Sequence, residues 1–388
     1  MDTFTLEYYD LLSRALAPGQ SVQSFLDDTM ARKYNGLQLD GFAFEPFMQN
    51  DTAYTQIVSE LALNATAQYY DIDSPAIPDA APGLKSYTGS IPRMKKVEYF
   101  NEAKIREMRR LEDRRSIALT AVREAAYQQL FITVDKLIGG HTNALTFQRH
   151  QVVSTGKFTI NAANNPKGIQ GVTLDFHVPA ANKTTIAVTN NKWWTNADKT
   201  SEGSASDPVK DMEAMVEKAR MAGVRGHFEI EIDYLKAILN HSAVIAKIGI
   251  VVLPAAAAAQ QSSYAGVMSY EAKKERLEQL VGAPIKAIDS IVAIDKIDKD
   301  NKVIGKTNTR AFEQNVVVFV PDGEIGTVKT VEPIAIAGGN YASFYGGKLL
   351  LIIGADFVYK CQSFNTEMTS LVVPNVPQYM WYLYPNNV

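Results

Sequence analysis

Cysteine is nearly absent: Cys361 stands alone among 388 residues. One thiol excludes an intrachain disulfide framework and any thiolate-rich zinc site. An excess of positive charge is missing too. Lysine and arginine total 39 against 42 acids, a net charge of −3, which is not the footprint of a general nucleic-acid binder. No stretch reaches the ~18 uninterrupted apolar residues of a membrane span, so no membrane partner is expected. The opening MDTFTLEYYDLL has no basic segment ahead of an apolar core; no secretory signal is expected, and cytoplasmic synthesis is the default. Internal repeats and coiled-coil heptads are lacking as well.

Chemical motifs fare no better. Gly305-Lys306-Thr307 looks like the end of a phosphate-binding loop, but the glycine that motif needs upstream is Asp300. A hairpin turn is the expected reading. Asp298, Asp300 and Asn301 suggest a calcium loop until Lys302 and Val303 occupy the places of an oxygen ligand and a glycine. These are expected to be turn residues between strands. None of His141, His150, His177, His227 and His241 makes a helical His-x-x-x-His pair or joins a carboxylate signature. Each is expected at the surface or the edge of a core. Cys361 reads as a small buried thiol in a strand. There is no G-x-S-x-G elbow and no G-x-G-x-x-G after a strand. No catalytic, cofactor-binding or metal-ligating residue is therefore predicted, and no cofactor.

What is present is the composition of a folded chain, 46% hydrophobic and 21% charged, long enough to bury more than one core. Leu6, Tyr9, Leu12 and Leu16 follow helical spacing. Pro75, Pro78 and Pro82, followed by Gly83, Gly89 and Pro92, forbid a helix over residues 66–98 and predict an exposed two-stranded arm or long loop. From Ile105 to Leu137 an apolar stripe predicts one long helix, stopped by Gly139–Gly140. At 1.5 Å per residue it would run roughly 57 Å, far beyond the ~21 Å radius of gyration of a compact chain this size. An elongated subunit is expected. Its first half, Glu102 to Arg115, is dense in charge of both signs, and reads as a solvated face or a surface meeting neighbouring subunits.

Strands are predicted at 145–153, 157–160, 172–178, 185–188, 227–232, 248–253, 287–297, 303–304, 316–320, 348–353, 357–361 and 370–373. Asp207 and Pro208 open a helix that Gly223 ends. Asp233 is expected to cap a short helix through Leu239, Ala255–Ala259 to form a loop or helical link, and Tyr270–Val281 a charged helix closed by Gly282. NYASFY between two glycine pairs reads as a tight loop, and QYMWYLYP as an aromatic tail packed on a sheet.

The order of these pieces, with GKFTI at 156–160, VTLDF at 172–176, Trp193–Trp194, DPVKDMEAMVEKARMAGV at 207–224, EIDYLKAILNHSAV at 231–244 and NVVVFVP at 315–321, resembles the major capsid proteins of tailed phages, in particular the phage major capsid protein E family. The resemblance implies an α+β, HK97-like capsid fold. Residues 1–64 would be the N-terminal arm, 65–98 the extended loop and 99–140 the spine helix. Residues 141–222 would form the peripheral domain, 223–355 the axial domain, and 356–388 the return strands of the peripheral domain. It further implies a non-enzymatic virion subunit, assembled in the host cytoplasm, whose copies form hexamers and pentamers of an icosahedral head. Implied partners are other copies of the chain, portal, scaffold and decoration proteins, and double-stranded DNA held without sequence specificity. An encapsulin-like nanocompartment shell and an α+β enzyme with an unrecognised site are the alternatives. Three expectations follow: a neighbouring subunit holds the arm, Arg109, Arg110, Arg114 and Arg115 meet acids on adjacent subunits, and residues 1–20 stay attached.

Overall fold

The computed structural model describes residues 39–59, 84–100, 119–166, 168–298, 303–334, 340–356 and 361–386, with positions 103, 106 and 110. In chain order the elements are β1 (Phe42–Phe44), β2 (Ala53–Ser59), β3 (Leu84–Ser90), β4 (Arg93–Phe100) and the long helix α1 (Leu119–Thr155). Then come β5 (Lys157–Ile160), β6 (Val172–Asp175), β7 (Lys183–Thr185), α2 (Pro208–Met221), β8 (Gly226–Glu231), α3 (Ile232–Leu239), α4 (Ser242–Val252), α5 (Ala258–Val267) and α6 (Tyr270–Val281). The chain ends with β9 (Ile285–Ile288), β10 (Ile291–Ile297), β11 (Val303–Arg310), β12 (Val317–Pro321), β13 (Gly326–Val331), β14 (Asn340–Phe344), β15 (Leu349–Asp356), β16 (Cys361–Pro374) and β17 (Trp381–Tyr384). Helix and sheet are mixed throughout, the α+β class expected.

Two compact units emerge. The first gathers residues 39–54 and the described parts of Gly89–Thr146 and Thr327–Val372. Its six-stranded sheet runs β1-β13-β16-β15-β14, with β4 also paired to β16. On β4, Arg93, Lys95, Val97 and Tyr99 are exposed while Met94, Lys96 and Glu98 alternate with them at lower exposure, the period of two that a strand imposes. The inner row meets α1: Lys96 Nζ donates to the Lys136 carbonyl at 3.2 Å, and Lys136 Nζ reaches Glu98 Oε2 at 3.0 Å. Val134, Leu137, Ile138 and Leu145 of α1 are fully buried, as are Leu349, Leu351, Met368 and Leu371.

Gly139 and Gly140 do not stop α1, which continues to Thr155. Neither takes a positive φ, so neither makes the left-handed cap that ends helices. Gly140 serves close approach instead, since a Cβ there would lie 2.7 Å from the Lys96 side chain. The spine helix of 99–140 is thus corrected at both ends. Residues 99 and 100 belong to β4, and the predicted strand 145–153 is helical. Leu145, Gln148, Arg149, Val152 and Val153 are all buried, spaced as one helical face.

The second unit holds Phe147–Gly326, residues 373–386, and the described residues of Thr55–Thr88. Along the described chain the units change over at 146, 326 and 372. Its five-stranded sheet has the order β7-β17-β12-β8-β9. β12 pairs antiparallel with β17 and β8, while β7 and β9 add parallel edges. The C-terminal aromatics enter that sheet as expected, with Trp381, Tyr382 and Leu383 buried. β2 and β3 form a two-stranded ribbon; the prolines between them, like residues 1–38, lie outside the described residues.

Helix α2 begins as predicted: Asp207 accepts from the Lys210 amide at 3.2 Å, Pro208 opens the first turn, and Gly223 follows at φ 74°. In α3 the cap is Glu231, not Asp233, accepting from the Tyr234 amide at 2.8 Å. Residues 248–253, rich in Ile and Val, are not a strand but the end of α4. Packing against α5 overrides their strand propensity, and Gly249 permits it, because a Cβ there would lie 2.6 Å from Gln261 backbone atoms. Gly305-Lys306-Thr307 sits inside β11, opposite Ile294–Lys296 of β10, rather than in a turn. NYASF is strand β14, and the turn follows it at Tyr345, Gly346 and Gly347, each at positive φ.

Candidate assembly surfaces

Three of the five histidines are buried rather than peripheral, and each belongs to a closed polar cluster. In the first unit His141 Nε2 lies 3.0 Å from Thr366 Oγ1. Thr366 donates its proton to the Lys96 carbonyl at 3.1 Å, so His141 is the donor. Burial, helped by the Lys96 charge, pushes its pKa down to about 4; it is neutral where most proteins work. Beside it Thr142 Oγ1 meets the Tyr345 hydroxyl at 2.7 Å.

The second unit contains an ion pair taken out of water. Arg149 is 3% and Glu229 0% exposed. Arg149 Nη1 donates to Oε2 at 2.6 Å, and Nη2 donates to Oε1. His227 Nε2 stands 3.6 Å from Glu229 Oε1 and its Nδ1 3.0 Å from Asp322 Oδ1. Burial opposes the Glu229 charge, but hydrogen bonds and charges from His227 and Arg149 prevail and hold it at about 2. Such a carboxylate is an anchor rather than a proton acceptor. The Glu229 hydrogen bond also raises His227 against its burial, whereas burial and the Arg149 charge push His150 down to about 4. A cleft of about 420 Å³ adjoins, lined by His227, Tyr270, Lys274 and Lys286. Its cations face carboxylates already: Lys274 with Glu278 at 3.7 Å and His227 with Asp322.

One trio has the composition of a hydrolase site. Ser206 Oγ is 3.1 Å and Glu202 Oε2 3.8 Å from His241 Nε2. The proton positions run the wrong way. The Ala243 amide donates to His241 Nδ1 at 3.2 Å, which leaves the ring proton on Nε2. Ser206 itself donates to the Gly203 carbonyl at 2.7 Å and so accepts from the histidine. A base must take the nucleophile's proton; this ring gives one, and its role is to cap α4. Among the described residues no group of three or more His, Cys, Asp or Glu is placed to hold a metal ion.

Large apolar side chains also face outward. Phe47, at 83% exposure, Tyr99, Ile132 and Ile334 stand exposed in the first unit. In the second, Val267 at 82%, Tyr264, Ile250 and Val251 cluster on α4 and α5, and Ile291, Val303 and Ile304 lie on the β10–β11 ribbon. Contiguous exposed apolar surface marks interaction sites. The sequence reading placed contacts elsewhere, in the charged stretch 102–115. Of that stretch Ala103, Arg106 and Arg110 are described, all helical and exposed; Arg109, Arg114 and Arg115 lie outside the described residues. So do residues 1–20, the Asp300–Asn301 cluster and the burial of Cys361. The α4–α5 face had one legible signal, the absence of charge from 248 to 270.

No protein-family model matches the sequence, and no curated protein does. Among solved structures, the fold is similar to a putative capsid protein of an Escherichia coli CFT073 prophage, with a TM-score of 0.47 and 12% identity over 99% of both chains. It is similar to a phage-related protein of Bordetella bronchiseptica RB50, with a TM-score of 0.45 and 14% identity over 92% of this chain and 95% of that one. The capsid of cyanophage P-SCSP1u gives 0.42 and 11% over 99% of both. Identities this low transfer no residue roles.

Proposed function

We propose that this chain is the major capsid protein of a tailed phage, a subunit that assembles with copies of itself into the hexamers and pentamers of a closed icosahedral head. The observation that supports this best is where the resembling segments fall. GKFTI and VTLDF are the paired strands β5 and β6. Trp193 and Trp194 lie in the core of the second unit, DPVKDMEAMVEKARMAGV is α2 with its cap, EIDYLKAILNHSAV is α3 with the start of α4, and NVVVFVP is β12. A resemblance carried by residues that build a fold suits a protein whose work is its shape. The closed polar clusters fit the same reading, since their donors and acceptors are spent on each other.

The mechanism is repetition. A shell needs modest contacts made many times, because linked contacts multiply without any single strong interface. A net charge of −3 suits a container for double-stranded DNA, touched without sequence specificity, better than a tight binder. Residues 141–222 and 356–388 are given the peripheral role, and residues 223–355 the axial role around the capsomer centre. Portal, scaffold and decoration proteins are the further partners, with assembly in the host cytoplasm and the virion as destination. Electron microscopy and sedimentation of the expressed chain test this. Closed icosahedral particles are expected; a small oligomer would overturn the reading, and particles that carry a protein cargo instead of nuclease-protected DNA would favour a nanocompartment.

A further inference from the structure

β10 and β11 pair with each other and, among the described residues, with no third strand. A two-stranded ribbon alone is marginal in water, and of the residues in these two strands only Val292 is buried. Whatever steers the ribbon acts at its root. The chain enters through Asp289 and Ser290, directly after β9, and leaves at Arg310, whose register partner is Ile291. Arg310 Nη1 donates to Asp289 Oδ1 at 2.9 Å and lies 2.8 Å from Glu231 Oε1, while Nη2 stands 3.0 Å from Asp233 Oδ2. One guanidinium joins both ends of the ribbon to the first turn of α3. Glu231 is the fixed point, since it is buried and its other oxygen accepts from the Tyr234 amide. Asp233 is shared with Lys236, whose Nζ lies 3.3 Å from Oδ1.

We propose that Arg310 is a root clamp that sets the direction in which the β10–β11 ribbon leaves the second unit, and that without it the ribbon swings as one body about Ser290 and Ala311. Geometry selects arginine for the place. Its planar fork offers five donors to three carboxylates, where an ammonium is a point charge. Beyond Val292 neither strand buries a side chain that could replace the clamp. The ladder is paired along its length, with Asp295 opposite Lys306, so motion concentrates at the root. Salt weakens the outer arms first, because the Asp233 and Asp289 side chains are 56% and 57% exposed whereas Glu231 is buried. The clamp acts within one chain, whether or not copies assemble. It holds the exposed Ile291, Val303 and Ile304 in one orientation in every copy.

A direction is read as a distance. In the full chain with C361S, which removes the one native thiol, nitroxide labels go on I304C of the ribbon and M221C at the end of α2, both exposed. Pulsed electron resonance measures their separation, and a large excess of unlabelled chain of the same sequence leaves only distances within one copy. With Arg310 present a single narrow distribution is expected; R310M should widen it about twofold or more. R310M also strands three carboxylates. Should melting show it unfolded, R310M/E231Q/D289N takes its place, since glutamine still caps α3 and the widening should remain. Hydrogen exchange needs no label: in the otherwise native chain either variant should speed exchange at 289–292 and 310–312 about tenfold or more while β8 and β12 keep their protection. A width and an exchange rate unchanged by the loss of Arg310 would overturn the proposal. So would a broad distribution in the chain that keeps Arg310, since the ribbon would then swing despite the guanidinium.

Discussion

At the scale of single residues, the Arg149–Glu229 pair is the most consequential arrangement in the second unit. Glu229→Gln leaves a buried guanidinium without its charge partner, and should cost about 3–5 kcal/mol in urea unfolding. Replacing both, as in R149M/E229L, should recover much of that loss, because the desolvation penalty goes with the charges. The histidines set the pH response. His141 and His150 are held near 4 from an ordinary 6.5, so below pH 6.5 the unfolded chain takes up protons that the folded chain refuses. Their contribution is whole above pH 6.5 and drains toward pH 4, by about 3 kcal/mol for each. His227 works oppositely: its raised pKa lends stability that is full below 6.5 and lost as pH rises through the raised value. Melting scans from pH 8 to 4 should therefore show an acid decline that H150Q makes shallower. An unchanged acid slope in H150Q would show that the fold does not hold the pKa of this ring down.

Elements follow from how closely their backbones approach. In α1, a Cβ at Gly139 meets nothing within 4 Å, whereas one at Gly140 meets Lys96 at 2.7 Å. G139A should therefore stabilise by about 1 kcal/mol, the usual gain of alanine over glycine inside a helix. G140A should gain less, because Lys96 must leave its bond to the Lys136 carbonyl. Equal gains in the two variants would mean that the helix does not lie on β4 as closely as this. Gly249 is the stricter case, since its neighbour is backbone rather than the end of a flexible side chain. G249A should force α4 from α5 and cost about 1–3 kcal/mol, measurable by thermal unfolding.

For the whole molecule, the question is which surfaces join copies. Apolar contacts are not screened by salt, whereas charge pairs across an interface lose reach as the screening length falls from ~10 Å at 0.1 M to ~3 Å at 1 M. If the α4–α5 face dominates, particles of the wild-type chain should persist in sedimentation across that range. Dissociation at high salt would shift the burden to the charged stretch 102–115. Both readings allow a shell; they differ in what holds it.

What the sequence determined by itself is local. Asp207 with Pro208, and Gly223 and Gly282 at helix ends, act through hydrogen bonds and φ angles within one turn, so α2 and α6 were legible from a few letters. The aromatic run at 381–384 was legible because its density of large apolar groups demands burial. The tertiary structure decided everything whose partner is distant in the chain. Gly139–Gly140 reads as a stop until Lys96 is seen against it, and IGIVV reads as a strand until Gln261 is. His141, His150 and His241 read as peripheral because Thr366, Glu229 and Ser206, which satisfy or perturb them, lie far along the chain. The exposed face was half visible: its missing charges are written in residues 248–270, but only the packing of α4 on α5 determined which of its side chains point to water.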